Sequence, residues 1–238
     1  MDRIKKLLNT KKIAMITCYD ATFASFLDKN QCDVILVGDS LGMTIKGQKN
    51  THDVSMDEII YHTKCVRRGA QKKPIISDMP IHSYPSKKEA LKNAKSILNA
   101  GADMVKIEGD EDVYEIITHL VKNHIQVCGH IGYTPQKIKH FKKNKLEFLA
   151  KAKSLEVCGI SMLVLSKTGA EIDRLITENI HIPTISFRSS GECNGEVEIL
   201  YDLLGLSNNL KNAYDRTIKN ESMTLKNPIN NFIKKIKR

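Results

Sequence analysis

The stretch from Val34 to Gly42 (VILVGDSLG) places the strongest constraint on the fold. Its first four residues are an uninterrupted apolar run, which stops at a glycine followed by Asp39 and Ser40. A short run of this kind is typical of a strand buried on both faces, as in a parallel sheet. Because a buried carboxylate needs a partner, Asp39 is predicted to lie at the end of the strand, where other polar groups can reach it.

The same pattern occurs twice more along the chain. Residues 74–80 (PIISDMP) end an apolar run at Asp78, and residues 104–109 (MVKIEG) end one at Glu108, two positions after Lys106. Segments with helical periodicity separate the three runs. Since the carboxyl ends of parallel strands meet at one edge, these acidic side chains are predicted to converge.

Strand and helix patterns alternate along the rest of the chain. Strands are predicted within residues 13–20, 34–40, 74–78, 104–108, 125–130, 160–166 and 182–187, and an eighth within 198–206. Helices are predicted between them, at residues 1–10, and from residue 209 to the end. This alternation implies parallel strands joined by right-handed crossovers.

Two α/β architectures fit such an alternation. A doubly wound open sheet would ordinarily show an early glycine-rich phosphate-binding loop. Polar residues instead follow nearly every predicted strand, as they do around the active site of a barrel. We therefore predict a single-domain (β/α)8 TIM barrel over residues 1–238, with an N-terminal helix and C-terminal helices.

Composition excludes several classes of protein. The N-terminus (MDRIKK) does not resemble a secretory signal, and no apolar run approaches the roughly 20 residues that span a bilayer. A cytoplasmic protein without a membrane segment is expected. The six cysteines contain no C-x-x-C pair, so buried free thiols are predicted.

The formal net charge is +10, with lysines concentrated at residues 137–153 and in the C-terminal tail. These clusters contain few arginines or interleaved aromatic residues and match no nucleic-acid motif. The pattern favours a solvated lysine face, or attraction for anionic small molecules, over nucleic-acid binding.

The predicted rim carries a set of side chains suited to metal and keto-acid chemistry: Asp39, Ser40, Asp78, Lys106, Glu108 and His130. Carboxylates without a neighbouring cysteine favour Mg²⁺ over zinc. An ion held by one or two carboxylates leaves positions for the ketone and carboxylate oxygens of a 2-oxo acid. Such an ion acidifies the neighbouring carbon, and Lys106 supplies a cation for the substrate carboxylate or the enolate.

Structural explanations exist for each residue alone. A strand-end aspartate can cap a helix, Lys106 and Glu108 can pair with each other, and His130 can be a hydrogen-bonded core residue. The number of these residues and their common placement favour a functional site.

Several segments resemble the signatures of the ketopantoate hydroxymethyltransferase family. They are VGDSLG (37–42), HT (62–63), VRRG (66–69), DMP (78–80), AGADMVKIEG (100–109) and CGHIGYTPQ (128–136). The resemblance implies a (β/α)8 barrel that binds Mg²⁺ and 3-methyl-2-oxobutanoate. The enolate of that acid would attack the one-carbon unit of 5,10-methylenetetrahydrofolate to give 2-dehydropantoate, a precursor of pantothenate.

The resemblance also implies roles for individual residues. Asp39 and Asp78 would ligate Mg²⁺ directly and through it the 2-oxo acid, with Glu108 in the outer sphere of the metal. Ser40 and Lys106 would bind the 2-oxo acid, and His130 would line the same pocket. A homo-oligomer, in the form of a decamer, is implied as well.

The chain departs from the family at the end of the sixth strand. Where the family has a glutamate that acts as general base, this chain has Ser166. A serine hydroxyl does not take a proton from carbon near neutral pH unless another base activates it. Glu192, on the loop after strand seven, is the preferred substitute, and Glu171 and a metal-bound hydroxide are the alternatives; reduced activity is expected.

Three functions remain open at this point. The first is the Mg²⁺-dependent hydroxymethyltransferase. The second is another Mg²⁺-dependent 2-oxo acid enzyme on the same barrel, such as a lyase or mutase of the phosphoenolpyruvate mutase and isocitrate lyase group. The third, suggested by Ser166, is a non-catalytic descendant that binds a 2-oxo acid or folate, or acts as a subunit partner.

Overall fold

The eight strands form a closed parallel barrel in chain order. The structure, a computed structural model, describes residues 3, 4, 7, 12–109, 111–136, 144–189, 191–204, 206 and 233. The strands are β1 Ile13–Thr17, β2 Val34–Val37, β3 Ile75–Asp78, β4 Met104–Glu108, β5 Val127–Gly132, β6 Met162–Ser166, β7 Thr184–Phe187 and β8 Gly195–Glu198. The predicted fold class is confirmed.

Helices connect most of the strands. They are α1 Ala21–Lys29, α2 Leu41–Thr44, α3 Met56–Gly69, α4 Lys87–Asn99, α5 Tyr114–Lys122, α6 Lys145–Val157, α7 Ala170–Asn179 and α8 Leu200–Leu203, with a 3-10 turn at Glu111–Val113. Within the described ranges, no helix combines the length and apolar character needed to cross a membrane. The six cysteines are free thiols, four of them buried and two partly exposed.

Successive side chains along each strand point alternately into the barrel and toward the surrounding helices. The interior cluster includes Met15, Leu36, Met104 and Val164 together with two residues from the N-terminal segment, Ile4 and Leu7. Arg3, Ile4 and Leu7 are helical, as expected for an N-terminal helix. The cluster leaves the carboxyl ends of the strands to polar side chains, so the fold collects those side chains at one rim.

Local sequence signals define the start of two helices. The Asp20 side chain accepts a hydrogen bond of 2.9 Å from the Phe23 backbone N–H, so Asp20 caps α1. Ser55 and Glu58 form a reciprocal capping box at the start of α3. Both arrangements satisfy backbone donors that have no partner within the helix.

The eighth strand lies earlier than predicted. It spans Gly195–Glu198 instead of lying within residues 198–206, where the structure has the short helix α8. Gly195 fits here because a Cβ atom at this position would lie 2.4 Å from the Ile13 carbonyl oxygen of β1. The strand pattern was missed because the described residues between β7 and β8 form no helix, so the strand follows sooner than the alternation predicts.

By compactness the chain divides into two units, Met1–Val197 and Glu198–Arg238. The first unit contains the barrel apart from the last residue of β8. The prediction of a single domain over the whole chain therefore stays a prediction, and most of the expected C-terminal helices lie outside the described residues.

Candidate active site

Three carboxylates from neighbouring strands meet at the carboxyl-terminal rim of the barrel. Asp39 follows β2, Asp78 ends β3 and Glu108 ends β4, and their exposed fractions are 5%, 2% and 1%. The backbone N–H of Asp39 donates to Asp78 Oδ2 at 3.0 Å. The structure thus brings together the acidic residues that the three strand patterns indicated.

Lys106 lies among these carboxylates. Its Nζ atom is 3.0 Å from Asp78 Oδ1 and 3.5 Å from Glu108 Oε1, and the side chain is buried. Burial lowers the pKa of the ammonium group, but Asp78 and Glu108 raise it more, so the pKa lies above its usual value. Lys106 is therefore a fixed positive charge at the rim.

Glu108 orients His130, which extends from β5. The Nδ1 atom of His130 lies 2.8 Å from Glu108 Oε1, and Lys106 Nζ is 3.5 Å from the same nitrogen. Although burial raises the pKa of Glu108, His130 and Lys106 lower it to about 2. Glu108 is therefore an acceptor, and in the neutral imidazole the proton lies on Nδ1.

The other ring nitrogen of His130 faces no protein group. His130 Nε2 is buried and has no hydrogen-bond partner among the described residues. A buried polar atom without a partner carries a free-energy cost, which a ligand or a transferred proton can remove. The Nε2 lone pair is thus a candidate acceptor within the site.

Two residues of this site, Gln136 and Tyr84, were missed by sequence reasoning. Gln136 Nε2 donates to Asp39 Oδ2 at 2.8 Å, and the Gln136 backbone N–H donates to Glu108 Oε2 at 3.2 Å. The Tyr84 hydroxyl donates to Gln136 Oε1 at 2.8 Å. A neutral amide and a phenol in loops carry no charge pattern, although Gln136 closes the CGHIGYTPQ segment.

Ser40 lies next to the acidic cluster at the start of the rim helix α2. Its Oγ atom is 2.7 Å from the Tyr19 hydroxyl, and the side chain is partly buried. A Cβ atom at Gly38 would lie 2.9 Å from this Oγ, so the residue two positions earlier has to be small. The strand-end glycine therefore makes room for the serine hydroxyl.

The charge balance of the cluster favours a bound cation. Asp39, Asp78 and Glu108 supply three negative charges when ionised, against one positive charge from Lys106. Burial and the neighbouring Asp78 and Glu108 charges raise the pKa of Asp39 well above its usual value. A divalent cation would stabilise the ionised form of Asp39.

The donor set fits Mg²⁺ with two direct carboxylate ligands. Within the described part of the chain, no group of three or more His, Cys, Asp or Glu side chains is arranged to hold a metal ion. Mg²⁺ commonly uses one or two carboxylates and retains water, so Asp39 and Asp78 are sufficient. Glu108 contacts His130 and the Gln136 backbone, and Asp78 contacts Lys106 and the Asp39 backbone, so both carboxylates also hold protein groups. The outer-sphere role of Glu108 stays a prediction.

Comparison with known proteins identifies the family. The family model for ketopantoate hydroxymethyltransferase matches residues 1–238. The chain belongs to the ketopantoate hydroxymethyltransferase family.

Relatives of similar length carry one name. The 3-methyl-2-oxobutanoate hydroxymethyltransferase of Buchnera aphidicola subsp. Schizaphis graminum is 38% identical, covering 98% of this chain and 94% of its own. The protein of the same name from Thermotoga neapolitana is 38% identical, covering 100% of this chain and 92% of its own. The one from Shewanella loihica is 35% identical, covering 95% of this chain and 89% of its own.

Solved structures support the fold. Phosphoenolpyruvate phosphomutase from Streptomyces platensis subsp. rosaceus has a TM-score of 0.71 at 12% identity, covering 97% of this chain and 87% of its own. For 2,3-dimethylmalate lyase, a member of the PEP mutase/isocitrate lyase superfamily, the TM-score is 0.66 at 14% identity, with 82% and 79% covered. At these identities the likeness concerns the barrel alone.

Ser166, at the position of the glutamate expected from the ketopantoate hydroxymethyltransferase family, faces the barrel interior. It ends β6, two and four positions after the interior residues Val164 and Met162, and therefore lies on the same face of the strand. Its side chain is fully buried, and Oγ has no hydrogen-bond partner among the described residues. Ser166 therefore lies at the rim but supplies no carboxylate.

The structure does not bring Glu192 to the acidic cluster. Its carboxylate pairs with Arg174 on α7, at 2.9 Å from Nη2, and this pairing lowers the pKa of Glu192. The next residue, Cys193, accepts a hydrogen bond from Lys12, which precedes β1. Glu192 thus lies toward the amino-terminal end of the barrel, away from Asp39, and the expectation that it replaces the family base is not supported.

Glu171, the alternative substitute base, is also directed elsewhere. It begins α7, is largely exposed and pairs with Lys145 at the start of α6. Among the residues that the structure brings to the rim, His130 is the better-placed proton acceptor, because its free nitrogen is buried within the cluster.

Proposed function

We propose that this chain transfers a hydroxymethyl group from 5,10-methylenetetrahydrofolate to 3-methyl-2-oxobutanoate, giving 2-dehydropantoate, with Mg²⁺ bound at the rim. The observation that carries the proposal is the convergence of Asp39, Asp78 and Lys106 on one buried rim. The names of the relatives supply the 2-oxo acid and the transferred group, and the folate donor is taken from the family resemblance.

In this proposal Asp39 and Asp78 hold the metal. Mg²⁺ at this position supplies a Lewis acid that polarises the ketone and makes the neighbouring C3–H bond more acidic. Gln136 and the backbone of Asp39 keep the two carboxylates in place through their hydrogen bonds.

Lys106 and Ser40 bind the 2-oxo acid. The Lys106 ammonium group provides a fixed cation for the substrate carboxylate and for the negative charge that develops on the ketone oxygen. The Ser40 hydroxyl, held by Tyr19, offers a hydrogen bond to the same substrate.

His130 accepts the C3 proton at Nε2. Glu108 fixes the ring through Nδ1 and stabilises the imidazolium ion that results. The C3 carbon then forms a bond to the methylene carbon of the folate, and water supplies the hydroxyl oxygen as the two bonds from that carbon to the folate nitrogens break. The two nitrogens take up the C3 proton, through His130, and one proton of the water, and tetrahydrofolate leaves. This assignment replaces a carboxylate base with an imidazole, and we propose that the enzyme is slower than its relatives for that reason.

Ser166 favours one further candidate, a non-catalytic protein that binds a 2-oxo acid. The Ser166 hydroxyl group can form a hydrogen bond to the bound acid, but it does not act as a base that removes the C3 proton. The homo-oligomeric state implied by the family resemblance and the cytoplasmic location expected from the sequence stay predictions.

Product formation tests the proposal. Protein, Mg²⁺, 3-methyl-2-oxobutanoate and 5,10-methylenetetrahydrofolate are incubated, and 2-dehydropantoate is measured by mass spectrometry. We expect product that disappears with EDTA and in Asp39→Asn but persists in Asp57→Asn, a matched change at an exposed position of α3. Binding of the 2-oxo acid without product would favour the non-catalytic candidate and overturn the proposal.

A further inference from the structure

One hydrogen bond joins two loops of the rim that follow non-adjacent strands. His52, in the loop between α2 and α3, has its Nε2 atom 2.8 Å from the carbonyl oxygen of Pro135, in the loop after β5. The first loop follows β2, and β3 and β4 lie between β2 and β5 in the barrel. Those two strands end in Asp78 and Glu108. The bond therefore connects loops on either side of the acidic cluster.

The Pro135 carbonyl group belongs to the same peptide unit as the Gln136 N–H group. Because a peptide unit is planar, a contact at the oxygen also fixes the direction of the N–H group. That N–H group donates to Glu108 Oε2 at 3.2 Å, and the Gln136 side chain donates to Asp39 Oδ2 at 2.8 Å. His52 and Glu108 thus hold opposite edges of the peptide plane from which the Gln136 side chain extends.

The loop that carries His52 is itself attached to the rim. The backbone N–H of Gln48 donates to the carbonyl oxygen of Gly42, in α2, at 2.8 Å. A Cβ atom at Gly42 would lie 2.8 Å from Val54 Cγ2, so the loop and α2 are in close contact. Because α2 begins two residues after Asp39, the loop gives His52 a fixed origin at the strand end that carries this carboxylate.

His52 is the donor in its contact with Pro135. A carbonyl oxygen only accepts hydrogen bonds, so the imidazole carries a proton on Nε2. His52 is partly buried, which limits the competition of water for the carbonyl oxygen. Loss of one hydrogen bond changes an equilibrium constant by about threefold to tenfold. An effect of this size is measurable in the affinity for a ligand.

We propose that His52 is a positioning residue for the metal site, which acts on Asp39 through the Pro135–Gln136 peptide unit and the Gln136 side chain. The inference rests on the proposed function for the role of Asp39 as a ligand of Mg²⁺. A carboxylate that is already oriented loses less conformational freedom when a ligand binds. The hydrogen bond of His52 therefore raises the affinity of the site for the ion.

Magnesium binding measures this role without turnover. Isothermal titration calorimetry of the full chain with MgCl₂, without either substrate, gives the dissociation constant of the ion. His52→Leu and His52→Ala remove the donor, and His52→Gln keeps an N–H donor at a similar distance from the backbone. The control is His181→Leu, because the His181 side chain is 95% exposed. Gln136→Leu, alone and together with His52→Leu, shows whether the effect passes through the Gln136 amide.

We expect the dissociation constant of Mg²⁺ to rise about threefold to tenfold in His52→Leu and His52→Ala, as for loss of one hydrogen bond. It is expected to stay within about twofold in His52→Gln and in His181→Leu. In the Gln136→Leu background, His52→Leu is expected to add less than about twofold, because the residue through which His52 acts is absent.

Three results would each refute the positioning role. They are an unchanged dissociation constant in both His52→Leu and His52→Ala, an equal rise in His52→Gln and His52→Leu, and an effect of His52→Leu that is as large in the Gln136→Leu background. A general loss of stability would lower the unfolding temperature without this dependence on Gln136. Absence of Mg²⁺ binding by the unchanged protein would contradict the proposed function as well, whereas binding that is insensitive to His52 contradicts this inference alone.

Discussion

Gln136 Nε2 donates a hydrogen bond of 2.8 Å to Asp39 Oδ2, across a separation of 97 positions in the chain. The same residue contacts Glu108 through its backbone N–H, and Tyr84 holds its amide oxygen. A single neutral side chain therefore connects carboxylates from two different strand ends. Its removal is a direct way to examine how the acidic rim is stabilised.

Replacement of Gln136 by leucine is expected to lower the free energy of unfolding by about 1–3 kcal/mol, because Asp39 loses a buried donor. Urea denaturation measures the change. Gln71→Leu is the matched control, since the Gln71 amide bonds only exposed backbone carbonyls. Its effect is expected to stay within about 0.5 kcal/mol. Equal effects of the two changes would show that Gln136 does not stabilise the rim.

The raised pKa of Asp39 predicts how the free energy of unfolding of the metal-free protein depends on pH. Because its pKa is raised in the folded state above the ordinary value of 3.8, the folded protein binds this proton more tightly than the unfolded chain. The free energy of unfolding therefore falls as the pH rises through the raised pKa. Asp39→Asn is expected to reduce this fall in denaturation experiments with EDTA as the pH rises above 3.8. Parallel curves for the two proteins would contradict the assignment.

The lowered pKa of Glu108 predicts that the free energy of unfolding changes with pH in the opposite direction, and at lower pH. Its pKa is lowered from 4.5 to about 2, so its ionised form stabilises the folded protein above 4.5 and this contribution is lost as the pH falls toward 2. Glu108→Gln is expected to show a smaller loss of stability than the unchanged protein between pH 5 and pH 3. A loss of the same size in both proteins would indicate that His130 and Lys106 do not lower the pKa of Glu108.

The identity of the residue at position 166 is expected to set the rate of proton removal. Ser166→Glu places a carboxylate at the interior end of β6, and a general base typically raises a rate about 10²–10⁴-fold. We expect faster release of the C3 proton of 3-methyl-2-oxobutanoate, measured by NMR. Ser166→Gln has the same size without the base and is expected to give no increase. Equal rates for the two variants would show that the absence of a carboxylate at position 166 does not cause the slow turnover.

Much of the fold and the charged part of the rim could be predicted from sequence. Each of Asp39, Asp78 and Glu108 ends an uninterrupted apolar run, a local pattern that requires no knowledge of distant contacts. The parallel topology then places all three at one rim. The alternatives of helix capping and pairing were not excluded by sequence, and in the structure Asp20 does cap a helix while Lys106 does contact Glu108.

The missed features depend on the path of loops in three dimensions. Gln136 is a neutral residue whose partners come from distant strands, so no local pattern marks it. Glu192 follows β7 in sequence, but without an intervening helix the connection returns quickly to the start of β8, where the Asn194 carbonyl accepts from the Ile13 N–H. A position in the loop after a strand was therefore insufficient to place its carboxylate at the rim.

The most direct test of the account is hydrogen–deuterium exchange at C3 of 3-methyl-2-oxobutanoate in D₂O, followed by NMR in the absence of folate. We expect exchange that requires both protein and Mg²⁺, stops in Asp39→Asn and continues in Asp57→Asn. Exchange that is absent, or that proceeds equally in Asp39→Asn or without Mg²⁺, would contradict the claim that the carboxylates of β2 and β3 hold a metal that activates the keto acid.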